Sequence, residues 1–139
     1  MASSYWKNVE RSVVKLFGVQ RLCRGQDFGA SMPDTTPHPI FSIEIKARKK
    51  VPAAIVKCCG SVLPKTNKFI SEAILQAQGY YPGKIPIAVI HEKNKNILKS
   101  YVCLYSGDAI WLGIKNSLPI GIFVIDLKSF LSYLPNQRQ

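Results

Sequence analysis

Acidic side chains are scarce in this chain, eight Asp and Glu among 139 residues, yet Asp34 and Glu44 stand ten positions apart around a turn. They belong to the segment Met32 to Lys50, MPDTTPHPIFSIEIKARKK. With Asp34 before a strand and Glu44 in its middle, the two carboxylates converge on one face. Like charges that close repel. A hard divalent cation compensates them: Mg²⁺ takes one or two protein carboxylates and completes its shell with water and phosphate oxygens. Mn²⁺ is the expected substitute. Lys46 follows Glu44 by two residues, which on a strand sets both on the same side. Beside such a metal its ammonium orients an attacking water or stabilises charge building on a phosphate, while the metal lowers the pKa of its bound water. The chemistry these residue types describe is phosphodiester hydrolysis.

Charge points to the same class of partner. Nineteen Lys and Arg against eight Asp and Glu leave a formal charge of +11, which favours nucleic acid or an anionic membrane. No stretch approaches the ~18 consecutive apolar residues of a membrane-crossing helix, and the first ten residues carry no apolar run ending in a small-residue cleavage site. The expected setting is therefore intracellular, cytoplasmic or nucleoid-associated, without membrane attachment. Cys23, Cys58, Cys59 and Cys103 form no C-x-x-C pair, so reduced, mostly buried thiols are expected rather than zinc. The basic residues bracket the acidic site: Arg21 and Arg24 before it, Arg48, Lys49 and Lys50 directly after it, Lys65 and Lys68 further on. Such clusters are what a phosphate-binding groove needs.

The elements that must position these residues follow from periodicity. Ser3 and Ser4 are candidate caps of a helix reaching Phe17, with Gly18 as its stop. Trp6, Val9, Val13, Leu16 and Phe17 form its apolar stripe, and Glu10 borders that stripe. Val19 to Cys23 reads as a strand, followed by a turn-rich stretch in which Asp27 is either a turn residue or a further ligand. From Ile40 to Ala47, Phe41, Ile43 and Ile45 alternate with Ser42, Glu44 and Lys46, the pattern of a strand. Val51 to Cys59 fits a short helix and Lys68 to Tyr80 a long one, ended by Pro82 and Gly83. Ile85 to His91 is a buried strand, Lys93 to Asn96 a turn, and Ile97 to Tyr105 the returning strand of a hairpin. A helical turn at Ser106 to Trp111, a strand at Ile120 to Ile125 and a helix capped by Asp126 and running to about Leu134 complete the chain. The order predicts a single α/β domain spanning 1–139, a mixed central β-sheet flanked by helices. His38, between two prolines, reads as a turn residue, and His91, after a buried strand, as a structural or surface residue.

With Pro33-Asp34 before a strand carrying Glu44-Ile45-Lys46, the segment resembles the core of the PD-(D/E)XK nuclease superfamily. The helix with Glu10-Arg11 and Leu16-Phe17-Gly18, and Leu75-Gln76-Ala77 in the second long helix, look like those of Holliday junction resolvase-like members. The resemblance implies a restriction endonuclease-like fold and Mg²⁺-dependent cleavage of DNA, duplex or branched. It implies Asp34 and Glu44 as metal ligands, joined by Glu10, and a supporting catalytic role for Gln76, with Gln78 as the competing choice. It also implies a homodimer, since two cuts need two sites. The interval between Asp34 and Glu44 is short and holds Pro37 and Pro39, so a tight turn replaces a longer hairpin. A structure-selective endonuclease of the junction-resolving kind is the leading expectation. A sequence-specific homing or restriction-type endonuclease comes next. From other classes come a non-catalytic nucleic-acid-binding protein and a structural protein of a ribonucleoprotein or virion.

Overall fold

A computed structural model describes residues 2–22, 33–65 and 67–134. Cys23, Arg24 and Asp27 lie outside the described residues. Four strands form one sheet in the order β1-β2-β3-β4: Phe41–Arg48, Ile85–Glu92, Tyr101–Tyr105 and Ile122–Asp126. β1 and β2 are parallel, and the other two pairings are antiparallel, which makes the sheet mixed as expected. Among the described residues five helices cover it: α1 (Ala2–Phe17), α2 (Ala53–Lys57), α3 (Lys68–Tyr80), α4 (Ser106–Trp111) and α5 (Leu127–Ser132). No described helix is long and apolar enough to cross a membrane.

The alternation along β1 divides the interior into two cores. Phe41, Ile43 and Ile45 pack with Val9, Val13 and Phe17 of α1, Ala109 of α4 and Phe130 of α5. On the opposite side Ile55 of α2 and Ile70, Ala73 and Ile74 of α3 meet Ala88, Ile90, Cys103 and Val124. β2 supplies both cores, which explains its almost continuous apolar sequence. Ser42 and Glu44 are directed to the α3 side and are buried there. The Ser42 hydroxyl donates to the carbonyl of Ala77, which ties β1 to α3 two residues from Glu44.

Several expectations need correction. Ser3 and Ser4 do not precede the first helix but lie within its first turn, where amides need no intrahelical partner and serine is tolerated. The strand expected at Val19 to Cys23 is, in its described part, a single antiparallel bridge between Arg21 and Thr35, flanked by Leu22 N to Asp34 O (3.0 Å) and Thr36 N to Gln20 O (2.9 Å). The returning hairpin strand starts only at Tyr101. Before it, Ile97–Lys99 forms a 3₁₀ turn, because the Asn96 side chain accepts the amide of Leu98, a local bond that competes with ladder pairing. The last strand begins at Ile122 rather than Ile120. Gly121 and Ser106 bond each other there, Gly121 N to Ser106 Oγ at 3.1 Å and Ser106 N to Gly121 O at 2.9 Å. Asp126 caps α5 as expected, accepting Ser129 N, but the helix stops at Ser132.

His38 fixes the approach to β1. Its Nδ1 accepts the amides of Ile40 (3.0 Å) and Phe41 (3.2 Å), so the neutral ring carries its proton on Nε2. Burial and the nearby Lys84 push its pKa below the ordinary 6.5. A depressed folded pKa means that the unfolded chain binds the extra proton first. The contribution of His38 to stability is therefore complete above about pH 6.5 and is lost as pH falls through the depressed value. Thermal melts between pH 7.5 and pH 5 are expected to show this loss in wild type and a flatter dependence in His38→Asn. Equal slopes in the two proteins would remove His38 from the account.

Candidate active site at the free edge of β1

β1 is an edge strand, and its outer edge is closed by the segment that carries Asp34. Asp34 Oδ2 accepts the amide of Ile45 at 3.1 Å, the residue between Glu44 and Lys46. The segment is held in place from both sides. Its backbone pairs with Gln20 and Leu22, and Tyr81 Oη donates to the carbonyl of Thr35 at 2.6 Å. Asp34 thus reaches the strand from its edge, whereas Glu44 projects from the face under α3. The short interval with its prolines accomplishes this turn without a hairpin.

Both carboxylates are withdrawn from water: Asp34 is 1 % exposed and Glu44 2 %. Burying an anion costs several kcal/mol unless it is paired and hydrogen-bonded. Glu44 meets that condition with Lys46, whose Nζ lies 3.1 Å from Oε2, and with Tyr80, whose hydroxyl donates to Oε1 at 3.3 Å. Lys46 keeps about a quarter of its side chain in solvent (24 %), so its ammonium stands between the buried acid and the surface.

Glu10, beside the apolar stripe of α1, is also buried, at 6 % exposure. Its Oε1 receives Arg21 Nε at 2.6 Å, and the Arg21 guanidinium lies 5.4 Å from the Trp6 ring centroid. Arg21 pairs by its backbone with Thr35, so Glu10 is linked to the Asp34 segment through Arg21. Among the described residues, no group of three or more His, Cys, Asp or Glu side chains gathers as a metal centre. Asp34 bonds the amide next to Glu44, and Glu10 is turned to Arg21. Two hard oxygen donors suit Mg²⁺, which retains several waters and binds through one or two carboxylates.

A depression of about 480 Å³ opens beside Lys46, lined also by Arg48, Phe69, Glu72 and Gln76. Gln76 is exposed on α3, and Gln78 is not among the lining residues. Arg48 stacks its guanidinium 4.7 Å from the Phe69 ring centroid. Lys49, Lys50 and Lys65 are exposed. Lys68 is exposed as well and pairs loosely with Glu72 at 3.8 Å. Two tyrosines escaped the sequence reading. Tyr80 lies four residues after Gln76 and therefore on the same helix face, a spacing that was available in the sequence. Tyr81 offered no comparable signal, because its contact with Thr35 depends on where α3 ends.

Comparison of the chain with protein-family models, with curated proteins and with solved structures gave no match in any of the three.

Proposed function

We propose that the protein is a metal-dependent DNA endonuclease of the PD-(D/E)XK kind with a restriction endonuclease-like fold, selective for branched DNA and acting as a homodimer. The observation that carries the reading is the bond from Ile45 N to Asp34 Oδ2, which holds a buried carboxylate against the strand bearing Glu44 and Lys46. A chain of net charge +11 has no general reason to bury carboxylates beside an exposed basic surface, and a phosphodiester substrate gives one.

In this reading Asp34 and Glu44 hold Mg²⁺, with Mn²⁺ as substitute, and Glu10 acts on the site through Arg21. The bound cation supplies Lewis-acid polarisation of the phosphate and a water of lowered pKa. The chain's own residues do the rest. Lys46 leaves Glu44 for the phosphate or the attacking water and stabilises charge developing there. Tyr80 keeps Glu44 oriented during that exchange. Gln76 and Arg48, on the walls of the adjoining depression, hold phosphate oxygens as hydrogen-bond donors. The basic residues around it neutralise the DNA backbone and set its register.

The Glu44–Lys46 and Glu10–Arg21 pairs favour a second reading. Internal ion pairs of this kind also neutralise buried acids in a protein without catalysis, and a nucleic-acid-binding module would retain them. Labelled linear duplex, single strand and four-way junction, incubated with Mg²⁺ or EDTA, separate the two. Metal-dependent cutting with preference for the junction is expected. Salt-sensitive binding of all three without cleavage in Mg²⁺ or Mn²⁺ would establish the binding module instead.

A further inference from the structure

The strands end unequally. β1, β2 and β4 all finish at one end of the sheet, where β3 begins, because Arg48 pairs with Glu92 and Tyr101 with Asp126. At this end Lys49, Lys50, Lys57, Lys95, Lys99 and Lys128 are all exposed. Two half-buried acids share this end and line its depressions, each engaged by a backbone amide: Glu92 Oε1 accepts Val51 N and Asp126 Oδ2 accepts Ser129 N, each at 2.9 Å. Two further depressions lie at this end. One of about 550 Å³ is lined by Lys50 and Lys57, and one of about 580 Å³ by Lys99 and Lys128.

We infer that this end of the sheet is a second phosphate-binding surface, which carries a double-helical arm of nucleic acid away from the Asp34–Glu44–Lys46 site. Lys50 flanks it on the β1 side and Lys99 and Lys128 on the β4 side, with Lys57 between them, two residues before the Cys59–Val124 bridge. The inference takes its direction from the nuclease reading, but its charge and geometry stand apart from catalysis. Strands lie ~4.8 Å apart, so β1 to β4 spans ~14 Å. That is close to the ~12 Å width of the major groove, so the two lysine flanks can meet the two phosphate strands that border it. A single strand offers only one such row and engages one flank. The position of the hairpin contributes to this arrangement. His91, held by Tyr5 at 2.8 Å, bonds the Lys95 carbonyl at 2.7 Å, which fixes the β2–β3 turn beside Arg48. The lysines of the turn are therefore presented on a rigid base.

The test is binding by fluorescence anisotropy in EDTA, which needs no cleavage. The full chain is compared with Lys99→Glu/Lys128→Glu and with a control of equal charge change at the opposite end, Lys15→Glu/Lys115→Glu. The first pair is expected to weaken binding of a short labelled duplex about tenfold or more, and to lower the slope of log K against log salt by ~1.8, ~0.9 for each lost phosphate contact. The control pair is expected to change the affinity much less and to leave the slope. Melting temperature checks that both variants are folded. Equal losses in the two variants, or an unchanged slope in the first, would overturn the surface. So would equal affinity for single strand and duplex, or binding of anionic phosphatidylserine vesicles in preference to DNA. Failure of cleavage alongside duplex binding at these lysines would sink the nuclease reading and leave this surface standing.

Discussion

Lys46→Gln is expected to lower DNA cleavage about 10²- to 10³-fold, the usual loss when one group stabilising developing charge is removed. Duplex affinity is expected to change little, because one ammonium among many basic groups supplies a minor share of phosphate neutralisation. The substitution also has a structural consequence. Glu44, 3 % exposed in its side chain, loses a partner at 3.1 Å and retains Tyr80. Loss of a hydrogen bond to a charged group costs about 1.5–3 kcal/mol, so the melting temperature falls as well.

A fall in activity through unfolding and a fall through chemistry have to be separated. Replacing both members of a buried ion pair is often close to neutral, whereas removing one is costly. Glu44→Gln/Lys46→Gln is therefore expected to regain most of the lost melting temperature and none of the cleavage. Single-turnover rates well below each protein's melting point provide the comparison. A double variant that recovers cleavage along with stability would mean that the pair is structural and that the catalytic centre lies elsewhere.

The legible and illegible parts of this protein divide along a physical line. β1 was visible because alternation of Phe41, Ile43 and Ile45 with Ser42, Glu44 and Lys46 is a property of consecutive residues, and α3 because its apolar spacing runs uninterrupted from Phe69 to Ala77. Asp126 announced its own role as a cap. The 3₁₀ turn at Ile97–Lys99 was hidden, since Ile97 and Leu98 look like strand residues and the Asn96 cap that diverts them is a single side-chain bond. The spacing of Asp34 and Glu44 suggested two carboxylates on one face, whereas Asp34 bonds the Ile45 amide at the strand edge and Glu44 lies on the α3 face. The placement of the Asp34 segment depends on the Tyr81–Thr35 bond and the Arg21–Thr35 bridge, contacts that join distant parts of the chain. The burial of Glu10 was equally out of reach, because its partner Arg21 arrives only when the segment after α1 folds back.

Asp34→Asn is expected to reduce cleavage by at least about 10³-fold and to abolish stabilisation by Mg²⁺, two effects with one cause. The substitution is chosen because asparagine keeps an oxygen able to accept the Ile45 amide, so the edge of β1 stays closed while a negative charge disappears. Without metal the variant is expected to melt no lower than wild type, since a buried charge is removed while the bond to the Ile45 amide is kept. With Mg²⁺ at roughly ten times its dissociation constant, wild type gains RT ln 11, about 1.4 kcal/mol, or ~3–6 °C in a chain of this size, and Asp34→Asn gains nothing. A protein of charge +11 repels cations in general, so stabilisation by a divalent ion demands a local cluster of negative charge. Matched ionic strength in NaCl controls for screening. An equal Mg²⁺ shift in both proteins would place the ion away from Asp34. No shift in wild type, with cleavage persisting in EDTA, would require hydrolysis without a divalent cation, in which Lys46 alone bears the developing charge.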